Sequence, residues 1–416
     1  MVFIQTILDL GASVMMPVII TLLGLMLRVP LKKSLRAGLS VGIGFIGIGL
    51  VAGLMWTNLG GLVEALSTKW NLALNTVDLG WPVAAGIAFS DGTLVAAMFA
   101  ILIGVNVLML FLNLTNTLNV DLWNFWHFIL CASIVKIMTG SMILGCIAGA
   151  IYGGVVLFLA DRPAKQLEKF LGYSGVTITT ASFPVMYYLC SLIDKLIDKI
   201  PGLNKINFNL KNTNSKYSFF AEPMILGLIL GTGLGFLSGY GWDKAIVTGV
   251  NMAGIMLILP RMVKILMEGL TPIANGAQEF MNARFPGRQV NIGMDFAIML
   301  GDSEVITTAL ILTPVTLLIA MVLPGNRLLP FMDLPALPYF ITAAVLAAKR
   351  NSFRAILIST IMIIAILLIA TDMAPLVTEI GKASGLVEPG VQSASSMSMG
   401  IELIGWVVTK FFGIFS

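Results

Sequence analysis

Apolar runs about as long as the roughly 20 residues that a bilayer-spanning helix needs recur along the whole chain, divided by short polar or basic breaks. They predict spans near Leu10–Leu27, Leu39–Met55, Leu94–Leu112, a fourth ending near Val135, then Met142–Leu159, Phe219–Leu237, Ala245–Leu259, Val305–Leu323, Leu334–Ala347, Ala355–Ala370 and a last one reaching Phe415. No short-strand alternation of the outer-membrane barrel type interrupts them. The expected fold is an all-α polytopic membrane protein of about 11 transmembrane helices.

Two stretches depart from this rhythm. From Trp56 to Ser90 the hydropathy weakens, Trp81-Pro82 breaks the chain, and Val83–Phe89 is too short to span. A re-entrant hairpin fits, because such backbone survives at membrane depth only when buried in protein or lining a cavity. Between Gly172 and Lys216, the run Ile193-Asp194-Lys195-Leu196-Ile197-Asp198-Lys199-Ile200 reads as an amphipathic helix lying on the membrane surface. Asn207 to Lys216 reads as a hydrophilic linker.

The polar breaks repeat. Ser90-Asp91-Gly92-Thr93 opens the third run and Gly301-Asp302-Ser303-Glu304 opens the eighth, with Asp91 and Asp302 211 positions apart. Lys33 to Gly38 matches Lys244 to Gly249 at the same interval. Asp121-Leu122 matches Asp333-Leu334, and His127-Phe128-Ile129 matches Tyr339-Phe340-Ile341, at 212. Such matches imply an internal duplication, a hallmark of transporters. Each unit holds five spans, an odd number, so the second copy enters the membrane from the opposite face. The prediction is two inverted five-helix repeats. Basic loops after spans one, five, seven and nine then share the cytoplasmic side, and the loop with Asp372, Glu379 and Glu388 lies outside. This puts the N-terminus outside and the C-terminus inside. Asp91 approaches from outside and Asp302 from the cytoplasm, towards a substrate site between the copies near the midplane.

Composition narrows the class. The chain is 57% hydrophobic and 11% charged, where a soluble domain carries about 25% charged residues. A net charge of +4 is concentrated in particular loops, with no basic stripe or aromatic module for nucleic acid. Cys131, Cys146 and Cys190 have neither disulfide nor metal spacing and read as small buried hydrophobes. The N-terminus lacks a basic segment and a small-residue cleavage site, so the first span is expected to be retained. One histidine and scattered acids make no metal set. No nucleophile-base motif or phosphate-cradling loop appears, so no catalytic residue and no cofactor is expected.

The candidate substrate-binding residues are polar groups placed where apolar surroundings make them costly. Asp302, Ser303 and Glu304 would accept hydrogen bonds from the hydroxyls of a neutral solute, or cap and charge the helix they open. Asp91 has the same two readings. His127 and Asn124 lie three residues apart on one helical face, for a site or for a buried structural bond. Glu222 opens a span just before Pro223 and either lines the cavity or caps the helix.

Gly80-Trp81-Pro82, the run Asn119-Val120-Asp121-Leu122-Trp123-Asn124-Phe125-Trp126-His127, Pro201-Gly202-Leu203-Asn204-Lys205-Ile206, Glu222-Pro223, Pro260-Arg261, Gly269-Leu270-Thr271-Pro272-Ile273-Ala274 and Pro324-Gly325-Asn326 together resemble, in residues and order, the galactitol-type enzyme IIC of the bacterial phosphoenolpyruvate-dependent sugar phosphotransferase system, relatives of the ascorbate permeases. The resemblance implies a permease of the bacterial inner membrane for a galactitol-like polyol or sugar. It implies a homodimer, with a fixed dimerisation part and a mobile core in elevator fashion. Phosphorylation is expected from a separate phosphocysteine IIB protein charged by IIA, so transferase activity would belong only to the complex. The domain organisation expected is a first repeat over 1–160, a cytoplasmic or amphipathic linker over 161–216, an inverted second repeat over 217–371, and an external loop with a C-terminal helix over 372–416. The alternative reading is an ion-coupled secondary transporter of a small polar solute, with the acids binding a proton or cation.

Overall fold

A computed structural model describes residues 12–70, 74–172, 174–207, 222–284, 290–300 and 302–414; some side chains within its helices, that of Ser303 among them, lie outside the described set. From residue 208 on, the expected hydrophilic linker also falls outside it. In chain order the elements are α1 (Ala12–Met26), α2 (Leu31–Trp70), β1 (Val77–Asp78), α3 (Gly80–Ala88), α4 (Gly92–Phe111), β2 (Thr117–Asn119), α5 (Phe125–Thr139), α6 (Met142–Leu171), β3 (Val176–Ile178) and α7 (Phe183–Ile197). They continue as α8 (Pro223–Leu237), α9 (Trp242–Arg284), β4 (Asn291–Met294), α10 (Ser303–Val322), α11 (Leu337–Phe340), α12 (Thr342–Ala347), α13 (Ser352–Ala383), β5 (Ala394–Ser395), α14 (Met397–Gly400) and α15 (Leu403–Phe412). Among the described residues, α4, α6 and α13 are long and apolar enough, by length and composition, to cross a membrane. Exposed aliphatic and aromatic side chains such as Val107, Phe111, Ile143 and Phe158 clothe α4 and α6, as lipid-facing surface requires.

Helices α1, α2, α8 and α9 pack on one another as one group. Helix α2 has 40 residues and α9 has 43, about 60 Å or more each at 1.5 Å per residue. They run antiparallel, with Gly269 against Ala37, Gly47 against Met262 and Gly61 against Tyr240. The sequence reading ended a span at Pro260. The helix continues because packing against α2 and α8 outweighs the roughly 3 kcal/mol that an interior proline costs.

Two pairs of element boundaries share the interval of the matched phrases: α2 and α9 start at Leu31 and Trp242, and α4 and α10 at Gly92 and Ser303, 211 residues apart each time. The match reaches side-chain contacts: a Cβ on Gly38 would strike Pro17 and Thr21, and one on Gly249 would strike Leu228 and Thr232, the same positions one repeat later.

The remaining elements form the second group. The weak stretch before Ser90 is the end of α2, then β1 and the nine-residue α3. The expected span over Leu334–Ala347 is broken into a 3-10 turn, α11 and α12, because prolines stand at Pro335 and Pro338. In the run Ile193–Ile200 one face, with Asp194 and Ile197, is buried, while Lys195, Leu196, Asp198, Lys199 and Ile200 are exposed, the two-faced pattern expected of an amphipathic helix. Strand β3 joins a sheet, and α7 packs on α6 and α12 with Asp194 buried. Asp194 is held there by Lys349 at 3.1 Å and Arg354 at 2.8 Å.

Candidate functional site

Short parallel strands place the polar residues. Strand β4 lies between β2 and β3, pairing Asn119 with Gly293 and Thr177 with Gly293. Asp121, Thr180 and Asp295 follow these three strand ends by one or two residues, so they converge. Asn124 ties them together: its amide donates to Asp121 at 2.7 Å, to Thr180 at 3.3 Å and to Asp295. Thr180 donates to Asp121 at 2.9 Å, and Asp295 accepts from the Ala297 amide at 2.5 Å. One turn along α5, His127 pairs through Nδ1 with Glu402. The other oxygen of Glu402 accepts from the Tyr152 hydroxyl at 2.5 Å, and Tyr152 shares a bond with Ser182 at 2.9 Å. All of these side chains are buried. Such a network is tolerated in an apolar interior because its members satisfy one another.

A second acidic pair stands where β1 pairs with β5. Asp78 accepts from the amides of Gly80 at 3.1 Å and Met332 at 2.6 Å. Asp333 accepts from the Trp81 amide at 2.8 Å and the Ser396 hydroxyl at 2.5 Å. Asp121 and Asp333 are the matched positions of the repeat, and each takes its partner acid from the other half of the chain.

The acidic phrases Asp91 and Asp302 do not meet each other. Helix α13, of 32 residues, spans the distance between them, about 48 Å at 1.5 Å per residue. At its start, Ser352 donates to Glu304 at 3.3 Å, while Arg350 donates to Asp302 at 2.7 Å and to the Phe170 carbonyl at 2.8 Å. Its end contributes Ile380, Ala383 and Ser384 to a cavity of about 360 Å³ that also holds Asp91, Lys136, Ser90 and Ser133. At its middle, Ala370 accepts from Ser395 at 2.6 Å and Ile366 lies against Gly400, on the approach to Glu402. Convergence of the two tips at the midplane is therefore corrected. In apolar surroundings each carboxylate needs a nearby cation, and each finds one at its own end of α13. Asn124 and His127 belong instead to the buried network around Glu402 that the middle of α13 approaches.

Asp91 caps α4 through the Leu94 amide at 3.1 Å and pairs with Lys136. Burial raises its proton affinity, but the Lys136 ammonium and the Leu94 amide outweigh that and hold the carboxyl below its ordinary range. Asp302 caps α10 through the Glu304 amide at 2.8 Å. Glu304 is buried, with an oxygen 3.9 Å from Arg350. Ser303 heads α10, its side chain lying outside the described residues. Glu222 is exposed ahead of α8. The Asp91 cavity offers a carboxylate acceptor, an ammonium donor and hydroxyls, and among the described residues the buried Ser133 hydroxyl has no partner. That donor and acceptor mix suits a hydroxylated solute.

Sequence reasoning missed Asp295, Glu402, Tyr152 and Ser182. The interval that matched Asp121 with Asp333 could have drawn attention to both buried acids. Among the described residues no group of three or more His, Cys, Asp or Glu could hold a metal ion.

Acids, amides and hydroxyls gathered inside a mostly apolar helical fold are what a permease for a polar solute needs, and the likeness to known proteins agrees. The family described as the PTS system sugar-specific permease component, EIIC-GAT, matches residues 6–389. The PTS system galactitol-specific EIIC component of Escherichia coli strain K12 is 37% identical over 407 residues, covering 98% of this chain and 90% of that protein. The component of the same description from Escherichia coli O157:H7 matches to the same extent. Matched from near its first span to the loop beyond α13, the chain belongs to the EIIC-GAT family of phosphotransferase-system sugar permeases.

Proposed function

We propose that this chain is the IIC subunit that carries a galactitol-like sugar alcohol across the bacterial inner membrane for phosphorylation by a separate IIB protein. The observation that carries this reading is the full-length likeness, 37% over 98% of the chain, to galactitol-specific components. The substrate enters at the Asp91 cavity, where Asp91, Lys136 and Ser133 meet its hydroxyls. It passes the level of Asn124 and His127 and leaves past Asp302, Ser303 and Glu304, with Glu222 beside the exit. At the cytoplasmic mouth the phosphocysteine of IIB, itself charged by IIA, gives its phosphoryl group to a substrate hydroxyl. The S–P bond breaks, an O–P bond forms and the hydroxyl proton is released. The product carries about −1.5 to −2 charge near neutral pH, so it does not return through an apolar path.

The finer architecture we infer is a pair of inverted five-helix repeats, with about 11 membrane-spanning helices and with α3 and α11–α12 as re-entrant pieces. Support comes from the repeated boundaries and from the opposite ends of α13 at which the two acidic phrases lie. Basic segments expected on the cytoplasmic side also meet in space: Arg350 holds the Phe170 carbonyl, and Arg354 pairs with Asp198 at 2.6 Å. With the positive-inside rule, this supports an N-terminus outside and a C-terminus inside. The α1, α2, α8 and α9 group serves as the fixed dimerisation part of a homodimer, and the second group moves as the elevator.

The test is uptake of labelled galactitol into inverted and right-side-out vesicles supplied with IIA, IIB and phosphoenolpyruvate. Accumulation of the phosphorylated polyol only when IIB is present is expected. Uptake that ignores the phosphoryl donor and collapses with the proton gradient overturns the proposal.

A further inference from the structure

The turn between α1 and α2 is built against ordinary helix rules. Arg28 has φ +62°, a left-handed conformation at a helix end where glycine costs least. The Val29 amide closes the turn on the Gly24 carbonyl at 2.8 Å. Helix α2 then begins with Lys32 and Lys33 and no acid in its first turn. Cations at the positive end of a helix are unfavourable, and an anion there offsets both the dipole and the lysines.

Beside this turn lies a cavity of about 560 Å³ between the start of α2 and the later part of α9. Arg28, Lys33 and Arg36 line one wall, and Glu268 and Glu279 on α9 line the other. Among the described residues none of these three cations enters an ion pair. Leu25 and Met26 on α1 and Leu31, Leu35 and Leu39 on α2, close in sequence to the lining residues, form an exposed aliphatic stripe. Cations thus face carboxylate acceptors across the cavity, and apolar surface is exposed on α1 and α2.

We infer that this cavity binds the head group of an anionic phospholipid, a phosphatidylglycerol-type lipid of the leaflet that the basic loop faces. The phosphodiester sits between Arg28, Lys33, Arg36 and the α2 N-terminus. The glycerol hydroxyls donate to Glu268 and Glu279, and the acyl chains lie along the stripe. A soluble phosphate would use the cations and leave the stripe unused.

Native mass spectrometry and thermal unfolding of the purified protein in detergent, with phosphatidylglycerol, phosphatidylcholine or inorganic phosphate added, test this. Wild type is expected to retain phosphatidylglycerol and to melt at a higher temperature with it, and to gain nothing from the other two. Lys33→Gln with Arg36→Gln should lower retention about 25-fold, at roughly five-fold per basic residue near an anionic surface. Arg28→Gly removes a cation while relieving the left-handed turn, so it decides the matter should the double variant fail to fold. It should bind phosphatidylglycerol about five-fold more weakly, with an unchanged or raised melting temperature in lipid-free detergent. Equal retention by wild type and Arg28→Gly, equal response to phosphatidylcholine, or a response to inorganic phosphate alone overturns the inference.

Discussion

Arg350 donates to Asp302 at 2.7 Å, joining the turn before α13 to the cap of α10. Lys136, in the last turn of α5, pairs in the same way with Asp91, the cap of α4. Both acids therefore cap a helix and neutralise a cation, so substitution separates structure from transport. Arg350→Met leaves Asp302 and Glu304 without their cation; the pair is part-buried, so the cost falls below the roughly 3–5 kcal/mol of breaking a fully buried one. The expected result is a lower melting temperature in detergent, partly restored by adding Asp302→Asn. Asp302→Asn and Glu304→Gln alone should lower uptake with membrane abundance kept. Wild-type uptake by both would remove these acids from the transport path.

Gly38→Ala and Gly249→Ala should each destabilise by about 1–3 kcal/mol, because a methyl group there meets backbone of the neighbouring helix. Gly104→Ala is the control, since nothing lies within 4 Å of its Cβ position. It should be neutral or stabilising by up to about 1 kcal/mol. Thermal unfolding in one detergent compares the three.

The buried chain of His127, Glu402 and Tyr152 should behave as a unit. In a double-mutant cycle of His127→Gln and Glu402→Gln, a coupling energy of about 1–3 kcal/mol is expected. Additive effects would show that the two side chains stabilise the fold separately.

Asp91 titrates below its ordinary range, so its contribution to stability is present above the unfolded-state pKa of about 3.9 and is lost as pH falls through the folded value. The melting-temperature gap between wild type and Asp91→Asn should stay constant from about pH 8 to 5 and close only below about pH 4. A gap that closes near neutral pH would show that Lys136 does not hold this carboxylate.

Hydropathy located the helices that face lipid, because lipid demands an uninterrupted apolar surface. Length was harder to read. Helices α2 and α9 continue past weak or proline-bearing stretches, since their neighbours supply what the local sequence lacks. The capping role of Asp91 and Asp302 follows from local rules. Their ion pairs were not legible, since Lys136 and Arg350 lie 45 and 48 residues away. Asn124 and His127 stood out as polar groups in an apolar run, whereas Glu402, at the start of the last span, was not singled out. Strands of two to four residues carry no periodicity, so the sheet that gathers Asp121, Thr180 and Asp295 left no trace in the pattern.

The bond between His127 and Glu402 joins residues 275 positions apart. A ribosome delivers the chain in order at about 5–20 residues per second, so the imidazole waits roughly 14–55 s for its carboxylate. Through that interval the His127 imidazole on α5 lacks the carboxylate partner it has in the folded chain. The newly inserted first half therefore exposes a feature that membrane chaperones and proteases can recognise, and it loses that feature only when the second half docks.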